Sequence, residues 1–432
     1  MNFIRTSEAP QLSRPRLNKG ARAVRILLIL VAGLQASFGV LATASGNGDP
    51  ALLPASVNTD PGARHGPDSR DFQGIPGLAV TNGGRLWSVW YGGGEAPGPG
   101  NYVMAASSDD RGRTWSPVRV VIENDVRVFD PAIWTDPAGR LWLFYSQGHV
   151  LWDGRAGVWA IVSANPDDEE PEWSEPRRIA DGIMLNKPTA LRSGEWLFPI
   201  AVWNQEPNEG LSPDSRLYVP PEHVHWSPDN VGSHVYTTRD RGERFSRLST
   251  VRIPGVYFDE HSIIEAKDGT LRFYVRHEEE GIVQKVSGDS GENWDAAAEG
   301  PIPHVPARFF VRTLRSGNIL LVKHNPELDG EWLHGAGVEE SRTFRARLVA
   351  YLSDDDGRTW RGGLVLDERV GVSYPDGDQG PDGTIYIAYD YDRTRAREIL
   401  MAAFTEEDVL AGRIVSEEGR LRQLVNRATG RR

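Results

Sequence analysis

Short runs of apolar residues recur along the chain, and each run follows a turn that contains glycine. The six strings are GGRLWSVWY from Gly83, AGRLWLFYS from Ala138, SGEWLFPIAVW from Ser193, DGTLRFYVRH from Asp268, SGNILLVKH from Ser316 and DGTIYIAYDY from Asp382. A short turn that leads into an alternating or fully apolar strand is typical of a β-hairpin. No helical spacing of apolar residues persists beyond the N-terminal segment, so the pattern predicts an all-β protein with few helices.

A second string, of the form Ser-x-Asp-x-Gly-x-x-aromatic, recurs after these strands. It covers residues 108–115 (SDDRGRTW), 238–245 (TRDRGERF), 287–294 (SGDSGENW) and 353–360 (SDDDGRTW), with a degenerate copy at 163–173 (SANPDDEEPEW). The three aspartates of SDDDGRTW suggest a metal site, but the recurrence favours a structural turn. In such a turn the third-position Asp binds its own loop and Gly357 adopts a positive φ. We expect Asp354 and Asp356 to be solvated.

The fixed order of turn, strand and box describes one small antiparallel sheet. Six copies predict a six-bladed β-propeller of four-stranded antiparallel sheets. The sixth unit has no box and continues through REILMAAFTEEDVL, so we expect an N-terminal strand to complete the last blade. We assign the propeller to residues 66–415, a linker to 45–65 and a C-terminal tail to 416–432.

The N-terminus carries a basic segment, RPRLNKGARAVR, followed by the apolar run ILLILVAGL. The run is shorter than the roughly 18 residues of a membrane-spanning helix, and Ala42-Thr43-Ala44 fits a signal-peptidase site. We therefore predict a signal peptide over residues 1–44, cleaved after Ala44, and export to the periplasm or the medium. An uncleaved N-terminal anchor is the alternative.

Charge and cysteine content exclude several classes of protein. The formal net charge of −12 argues against nucleic acid or an anionic membrane surface as a partner. The absence of cysteine excludes a disulfide framework and thiol chemistry. We expect a monomer that uses no cofactor, and an anionic substrate would need a local basic pocket.

The widest interval between units contains NQEPNEGLSPDSRLYVPPEHVHWSPDN, residues 204–230, which we call the insertion. A long loop rich in proline and polar residues suggests a lid or specificity loop, although a loop without a function fits as well. Its His223 and His225 could suit a metal, but no third ligand stands at a recognisable spacing. No metal site is predicted.

Charged and polar residues interrupt the strand expected to be innermost in each unit. They are Asp130, Lys187, Asp259, Glu260, His261, Arg308, Tyr374 and Asp376. Buried charges need partners, so one such residue alone is most simply a salt bridge. Their occurrence at comparable places in several units predicts a ligand site at one end of the central channel.

The six units, the boxes and the segment DEHSIIEAKDGTLRFYVR resemble the sialidase (neuraminidase) superfamily. The resemblance implies a glycoside hydrolase that acts on an acidic glycan, with a Tyr nucleophile, a Glu partner, an Asp acid and three Arg that bind the substrate carboxylate. Transferred to this chain, Tyr374 is the nucleophile, Glu260 its base, and Asp130 or Glu95 the acid. The matching arginines are Arg276 and Arg308, with Arg312 as a weaker match for the latter.

One position departs from the family pattern. Where sialidases have Phe- or Tyr-Arg-Ile-Pro, this chain has Gln73-Gly74-Ile75-Pro76, so Gly74 replaces the first arginine. Losing one charge-assisted hydrogen-bonding group would weaken carboxylate binding about 10- to 100-fold. The other candidate substrate-binding residues are Gln73, Lys187, His261 and Asp376.

Two alternatives remain open at this stage. The same fold could cleave a uronic acid or deoxy sugar by hydrolysis or elimination, which Gly74 and the additional His261 favour. A non-catalytic carbohydrate-binding propeller is the other, because blades with these boxes also serve in binding proteins. A Ser-His-Asp hydrolase is not favoured, because the sequence has no Gly-x-Ser-x-Gly.

Overall fold

The computed structural model of the protein describes residues 48–325 and 345–430. Within these residues six antiparallel sheets form the ring of a β-propeller, which confirms the all-β prediction. The expected signal peptide and its cleavage site lie outside the described residues. No helix in the described segments is both long enough and apolar enough to span a bilayer.

In each blade the strands run from the axis outwards in chain order, with one addition in the first blade. The first blade comprises β2 (Gln73–Val80), β3 (Leu86–Gly92), β4 (Tyr102–Ser108), β5 (Val120–Glu123) and, outermost, β1 (Ser56–Asn58). The second comprises β6 (Arg127–Thr135), β7 (Leu141–Gly148), β8 (Val158–Ser163) and β9 (Arg177–Ala180). The third comprises β10 (Thr189–Ala190), β11 (Trp196–Val202), β12 (Gly232–Thr238) and β13 (Ser246–Val251).

The remaining three blades have four strands each. The fourth comprises β14 (Ser262–Glu265), β15 (Leu271–His277), β16 (Gly281–Ser287) and β17 (Asp295–Ala296). The fifth comprises β18 (Phe310–Thr313), β19 (Ile319–His324), β20 (Ala346–Ser353) and β21 (Arg361–Val370). The sixth comprises β22 (Val372–Gln379), β23 (Ile385–Tyr391), β24 (Glu398–Phe404) and β25 (Arg420–Arg427).

Helical segments are few and short. The α-helix α1 (Glu406–Ala411) begins at Thr405, whose side chain accepts from the N–H of Asp408 in a capping box, and ends before Gly412. Single 3₁₀ turns occupy Pro50–Leu52, Ala63–His65, Pro67–Ser69, Pro221–His223 and Pro228–Asn230.

The six apolar strings are the second strands of the six blades, β3, β7, β11, β15, β19 and β23. The turn before each string joins it to the innermost strand. Its second residue is a glycine with positive φ, for example Gly139 at 84°. This conformation fits the tight hairpin turn, because glycine has no Cβ to clash.

The core lies between the blades. Six apolar clusters are found in the described residues, one between each pair of neighbouring blades. Between the second and third blades, the rings of Trp134 and Trp196 meet edge to face at 5.0 Å. Aromatic packing of this kind holds adjacent sheets in register around the ring.

The expected closure of the ring is wrong in one respect. The sixth blade is completed by its own β25, whereas the N-terminal strand β1 pairs with β5 of the first blade, Val57 opposite Ile122. The predicted linker 45–65 and tail 416–432 therefore each contain a strand of the propeller.

The boxes are structural turns after the third strand of a blade. In the copy at 353–360, the Ser353 hydroxyl donates to Asp355 Oδ1 at 2.7 Å and accepts from the N–H of Gly357 at 2.8 Å. Of the two neighbouring aspartates, Asp354 is exposed as expected, whereas Asp356 is less solvated than expected. Asp356 accepts from the backbone N–H of Lys267 at 2.9 Å, and the exposed Asp354 pairs with Arg361.

Candidate active site

A cavity of about 310 Å³ lies on the face of the propeller where the innermost strands begin. Its lining includes four residues predicted from the sequence, namely Asp130, Glu260, Arg276 and Tyr374. They come from the second, fourth and sixth blades and meet only because the ring brings these strand starts together.

A buried hydrogen-bonded group forms the floor of the cavity. The Tyr374 hydroxyl donates to Glu260 Oε1 at 2.5 Å. Arg276 Nη1 lies 3.1 Å from the same carboxylate oxygen and 3.4 Å from the tyrosine hydroxyl. Among the described residues, Glu260 Oε2 has no hydrogen-bond partner. The carboxylate can therefore accept the tyrosine proton on Oε1 while its other oxygen remains unpaired.

Charges near Tyr374 act on its hydroxyl in opposite directions. Burial, followed by the negative charge of Glu260, raises the pKa of Tyr374, while Arg345, Arg276 and Arg393 lower it. The hydroxyl is protonated at neutral pH, so it needs a base before it can act as a nucleophile. Glu260 is in position to be that base.

Two arginines that the sequence analysis missed lie beside Tyr374. The guanidinium groups of Arg393 and Arg345 lie 4.3 and 4.9 Å from the centre of its ring. Both donate to the Ser373 hydroxyl at 3.3 Å, so two positive charges converge on one side of the tyrosine. With Arg276, they form a basic group suited to a carboxylate.

Arg393 occupies the space that a side chain at position 74 would fill. A Cβ added to Gly74 would lie 2.8 Å from Arg393 Cγ and Cδ. Arg393 Nε donates to Asp390 at 2.9 Å, and the same carboxylate oxygen accepts the N–H of Ile75 at 2.8 Å. The sixth blade thus provides a positive charge where the first blade lacks one.

A repeated backbone device directs residues into the cavity. Ile75, Asp130 and Tyr374 all have positive φ, at 56°, 45° and 54°, and each precedes a proline. The pairing of β2, β6 and β22 shifts register at these points. Bulges of this kind redirect side chains, and positive φ at non-glycine residues clusters at functional sites.

Asp130 has the properties of a proton donor. Burial raises its pKa to about 6, with Glu260 adding to the effect and Arg127 opposing it. In the described part of the chain, its Oδ1 has no hydrogen-bond partner. Arg127 is held by Tyr91, whose hydroxyl accepts from Nη2 at 3.0 Å.

Glu95 and Gln73 lie away from this chemistry. Glu95 is exposed in the loop after β3 and does not line the cavity. That loop is held by the buried Asn101, whose Nδ2 donates to Ala96 O at 3.2 Å. Gln73 is buried between the first and sixth blades, where its Nε2 donates to Arg397 O at 2.7 Å. Glu95 and Gln73 therefore lie apart from the group around Tyr374, whereas Asp130 lines the same cavity as Tyr374.

Three further predicted residues form a network on the axis of the propeller. Lys187 Nζ donates to Asp376 Oδ2 at 2.5 Å and to the carbonyls of Leu78 and Ile133. Arg308 Nη2 donates to Asp376 Oδ1 at 3.0 Å. All three charged side chains are almost fully buried, and none of them lines the cavity that contains Tyr374.

This network, which we call the axial network, consists of Lys187, Asp376, Arg308 and Asn186, and it continues to the strand start that carries Glu260. Arg308 Nε donates to Asn186 Oδ1 at 2.9 Å, and Asn186 Nδ2 donates to the backbone carbonyl of Glu260 at 3.0 Å. Its function at the site is therefore to fix the strand start that carries Glu260.

His261 and Arg312 are also structural. The His261 ring bonds to Asp259 Oδ1 at 2.7 Å and to His234 O at 3.1 Å. Arg312 Nη1 donates to Pro188 O at 3.0 Å, and it lines a different cavity from Tyr374. Neither residue contacts the group around Tyr374.

The insertion lies over the cavity, as the lid interpretation expected. Its cavity-lining residues are Gln205, Pro207, Glu209, Leu211 and Leu217. Trp152, Trp203 and Phe258 add an apolar wall to the same cavity. The site therefore suits a ligand with an anionic group at one end and a less polar part at the other.

Comparisons with known proteins agree with this architecture. A model of the family described as BNR repeat-like domain matches residues 84–387. No protein among those with curated descriptions matches the sequence.

Solved structures share the fold at low sequence identity. The chain is similar to a Hadza microbial sialidase, with 18% identity and a TM-score of 0.58 over 79% of this chain and 67% of that one. It is similar to the intramolecular trans-sialidase of Ruminococcus gnavus in complex with oseltamivir carboxylate, with 12% identity and a TM-score of 0.57 over 80% and 97%. A leech intramolecular trans-sialidase has 13% identity and a TM-score of 0.57 over 81% and 70%.

Proposed function

Because the chain belongs to the family of BNR repeat-like domains, we propose that it is a sialidase-like exo-glycosidase acting on an acidic glycan such as a sialoside. The observation that carries the proposal is the 2.5 Å hydrogen bond from the Tyr374 hydroxyl to Glu260 inside a cavity lined by arginines. A buried nucleophile with its base in contact, beside a carboxylate-binding group, matches the requirements of a retaining glycosidase with a tyrosine nucleophile.

The reaction proceeds in two displacements. Tyr374 Oη attacks the anomeric carbon and its proton passes to Glu260. Asp130 gives its proton to the glycosidic oxygen, which leaves with the aglycone. Water then attacks the anomeric carbon, Asp130 takes the water proton, the bond from that carbon to Tyr374 Oη breaks, and Glu260 returns its proton to Tyr374. Two inversions at one carbon retain the configuration.

The basic group holds the substrate for this attack. Arg276, Arg345 and Arg393 bind the carboxylate of the sugar, and bidentate arginine pairing fixes its plane as well as its position. The anomeric carbon is then presented to Tyr374 while the aglycone points towards the apolar wall. Arg345 and Arg393 replace the contributions expected from Arg308 and from the first blade.

The test is hydrolysis of a fluorogenic sialoside by the purified chain. Tyr374→Phe should lower kcat by at least 10³-fold, because the nucleophile is removed while the ring remains in place. Tyr236→Phe, at a half-buried tyrosine of the third blade, is the matched control and should leave kcat unchanged. A folded wild-type chain that releases no sugar from any acidic glycan would contradict the proposal. It would favour the alternative of a non-catalytic carbohydrate-binding propeller.

A second candidate substrate is a non-sialic acidic sugar, such as a uronic acid. The observation that favours this substrate is the positive charge of Arg393, which comes from the sixth blade. This charge would hold the substrate carboxylate in a different orientation from an arginine at position 74. A panel of sialylated and uronate-containing oligosaccharides separates the two. Inert sialosides beside a cleaved uronide would favour the second substrate.

We also propose that the chain is exported. The basic N-terminal segment and the short apolar run that follows it support this. N-terminal sequencing of the mature protein tests the predicted cleavage after Ala44, and a chain that begins at Met1 and stays with the membrane fraction would instead support the anchor.

A further inference from the structure

The insertion is held at its far end by a cluster of imidazoles around one carboxylate. His223 and His225 belong to the insertion, and His149 follows β7. Asp49 Oδ1 lies 2.7 Å from His149 Nε2, and Asp49 Oδ2 lies 3.7 Å from His225 Nε2. The rings of His149 and His223 lie 3.8 Å apart. Four groups from three separate segments therefore meet at one place.

The spacing of the donor atoms is close to that of a metal site. One donor atom from each of Asp49, His149 and His223 lies within 4.8 Å of the other two. Ligands of a tetrahedral zinc ion lie about 3.3 Å from one another, given metal–ligand bonds of about 2.0–2.1 Å. The 2.7 and 3.7 Å separations at Asp49 lie on either side of this value. The His149 and His223 rings are stacked face to face, so metal binding requires them to rotate about their side-chain bonds until their nitrogens point at a common centre.

The donor set also indicates which cation would bind. Imidazole nitrogen together with one carboxylate is a ligand set for zinc, whereas Ca²⁺ and Mg²⁺ favour oxygen ligands alone. Arg155 Nη2 donates to Asp49 Oδ2 at 2.5 Å, and ligating carboxylates are commonly oriented by such an outer hydrogen bond.

We propose that Asp49, His149 and His223 bind a zinc-like transition-metal ion, with His225 as the fourth ligand. No third ligand is recognisable from its spacing to His223 in the sequence, because Asp49 and His149 come from distant parts of the chain. The backbone N–H of His225 donates to Asp153 O at 2.8 Å, so the insertion already contacts the loop that carries His149.

The proposed metal site is separate from the cavity, and the bound ion acts as a cross-link between segments of the chain. It joins the far end of the insertion to the second blade and to the segment before β1. Residues Leu211 and Leu217 of the same insertion line the cavity. A bound ion thereby limits the positions available to the part of the insertion over the substrate. The proposal does not depend on which sugar is cleaved, or on whether any is.

Metal binding is tested directly on the untagged full-length protein. Equilibrium dialysis against ZnCl₂, followed by elemental analysis, should give about one zinc per chain. His149→Ala and His223→Ala should each weaken binding about 10- to 100-fold, as the loss of one ligand or its support does in other sites. Asp229→Ala, at an exposed position of the same insertion, is the matched control and should keep the wild-type affinity.

A second measurement needs no variant. Co²⁺ bound in place of zinc should give the intense visible absorption of a tetrahedral site, which added Zn²⁺ removes. Zn²⁺ should also slow proteolytic cleavage within residues 204–230, and a chelator should reverse the protection.

Wild-type protein that takes up no stoichiometric metal overturns the proposal, as does uptake that both histidine variants retain. Glycosidase activity is not a readout, so this proposal and the proposed function can fail separately.

Discussion

The axial network and the cavity floor are both made of buried charges from several blades, but their charges are satisfied differently. In the axial network every charged group pairs with another part of the chain, as Asp376 does with Lys187 and Arg308. On the cavity floor, Asp130 Oδ1 and Glu260 Oε2 have no hydrogen-bond partner among the described residues. Buried charge alone therefore does not identify a binding site. A stronger sign is that two carboxylates with unpaired oxygens line one cavity.

The largest effect is expected from breaking the axial network. Arg308→Met leaves Asp376 short of a partner in a fully buried place, so the free energy of unfolding should fall by about 3–5 kcal/mol. Denaturant titration measures this. Arg315→Met, at an exposed arginine of the same blade, should change stability by less than about 0.5 kcal/mol. If Arg308→Met raises KM while the stability is unchanged, Arg308 belongs to the substrate site after all.

A cavity arginine should show the opposite behaviour. Arg393→Ala removes a charge that we propose binds the substrate carboxylate, so kcat/KM should fall about 10- to 100-fold while stability changes little. Arg395→Ala, two residues away with its side chain 87% exposed, is the control. Steady-state kinetics and a thermal melt distinguish binding from folding.

The same comparison can be sharpened by moving the charge. Gly74→Arg alone would crowd Arg393, because an added Cβ at Gly74 would lie 2.8 Å from that side chain. Gly74→Arg combined with Arg393→Ala frees the space and should recover about tenfold of the lost kcat/KM. Without any recovery over Arg393→Ala, position 74 would not be equivalent to the place that Arg393 fills.

The pH profile depends on Asp130. Its pKa is raised to about 6, so the carboxyl is protonated below that pH and loses its proton as the pH rises through it. Because the first step needs the protonated acid, kcat/KM should be level below about pH 6 and fall up to tenfold per unit above it. In Asp130→Asn the fall should disappear, with a lower rate throughout. An unchanged profile in Asp130→Asn would assign the ionisation to another group.

The smallest effect is expected at the box turns. Their polar groups, like those of the axial network, are hydrogen-bonded to other parts of the chain. Asp355→Ala removes the acceptor of the Ser353 and Thr359 bonds and should cost about 1–2 kcal/mol of stability. Asp354→Ala, at an exposed position one residue earlier, should stay within about 0.5 kcal/mol. Equal losses in chemical denaturation would mean that the repeat has been assigned to the wrong aspartate.

The repeated parts of the molecule were predictable from the sequence, because repetition can be counted along one chain. The six turn strings and the boxes located the second and third strands of the blades. β25 was missed because the polar, arginine-rich segment RLRQLVNR of this outer strand lacks the apolar signal of an inner strand. For the same reason the N-terminal strand was assigned to the wrong blade.

The site was only partly predictable for a different reason. Sequence patterns place Glu260 and Arg308 on inner strands alike, but they do not show which side chain faces the cavity and which fills the channel. Arg345 and Arg393 lie outside the inner strands and look like ordinary loop arginines in the sequence. Their position follows from packing across the ring, which no local pattern contains.

The complete sixth blade has a consequence for folding. No strand is shared between the last blade and the first, so each can form from contacts that are close along the chain. The seam between them is instead closed by bonds such as Ile75 to Asp390 and Gln73 to Arg397, which span 315 and 324 positions of the sequence. Such contacts carry the largest loop-closure cost, so we expect them to form late. Because Arg393 reaches the space beside Gly74 across this seam, an open ring would keep its blades but lack an assembled anion site. Measuring substrate binding would then show directly whether the ring of blades has closed.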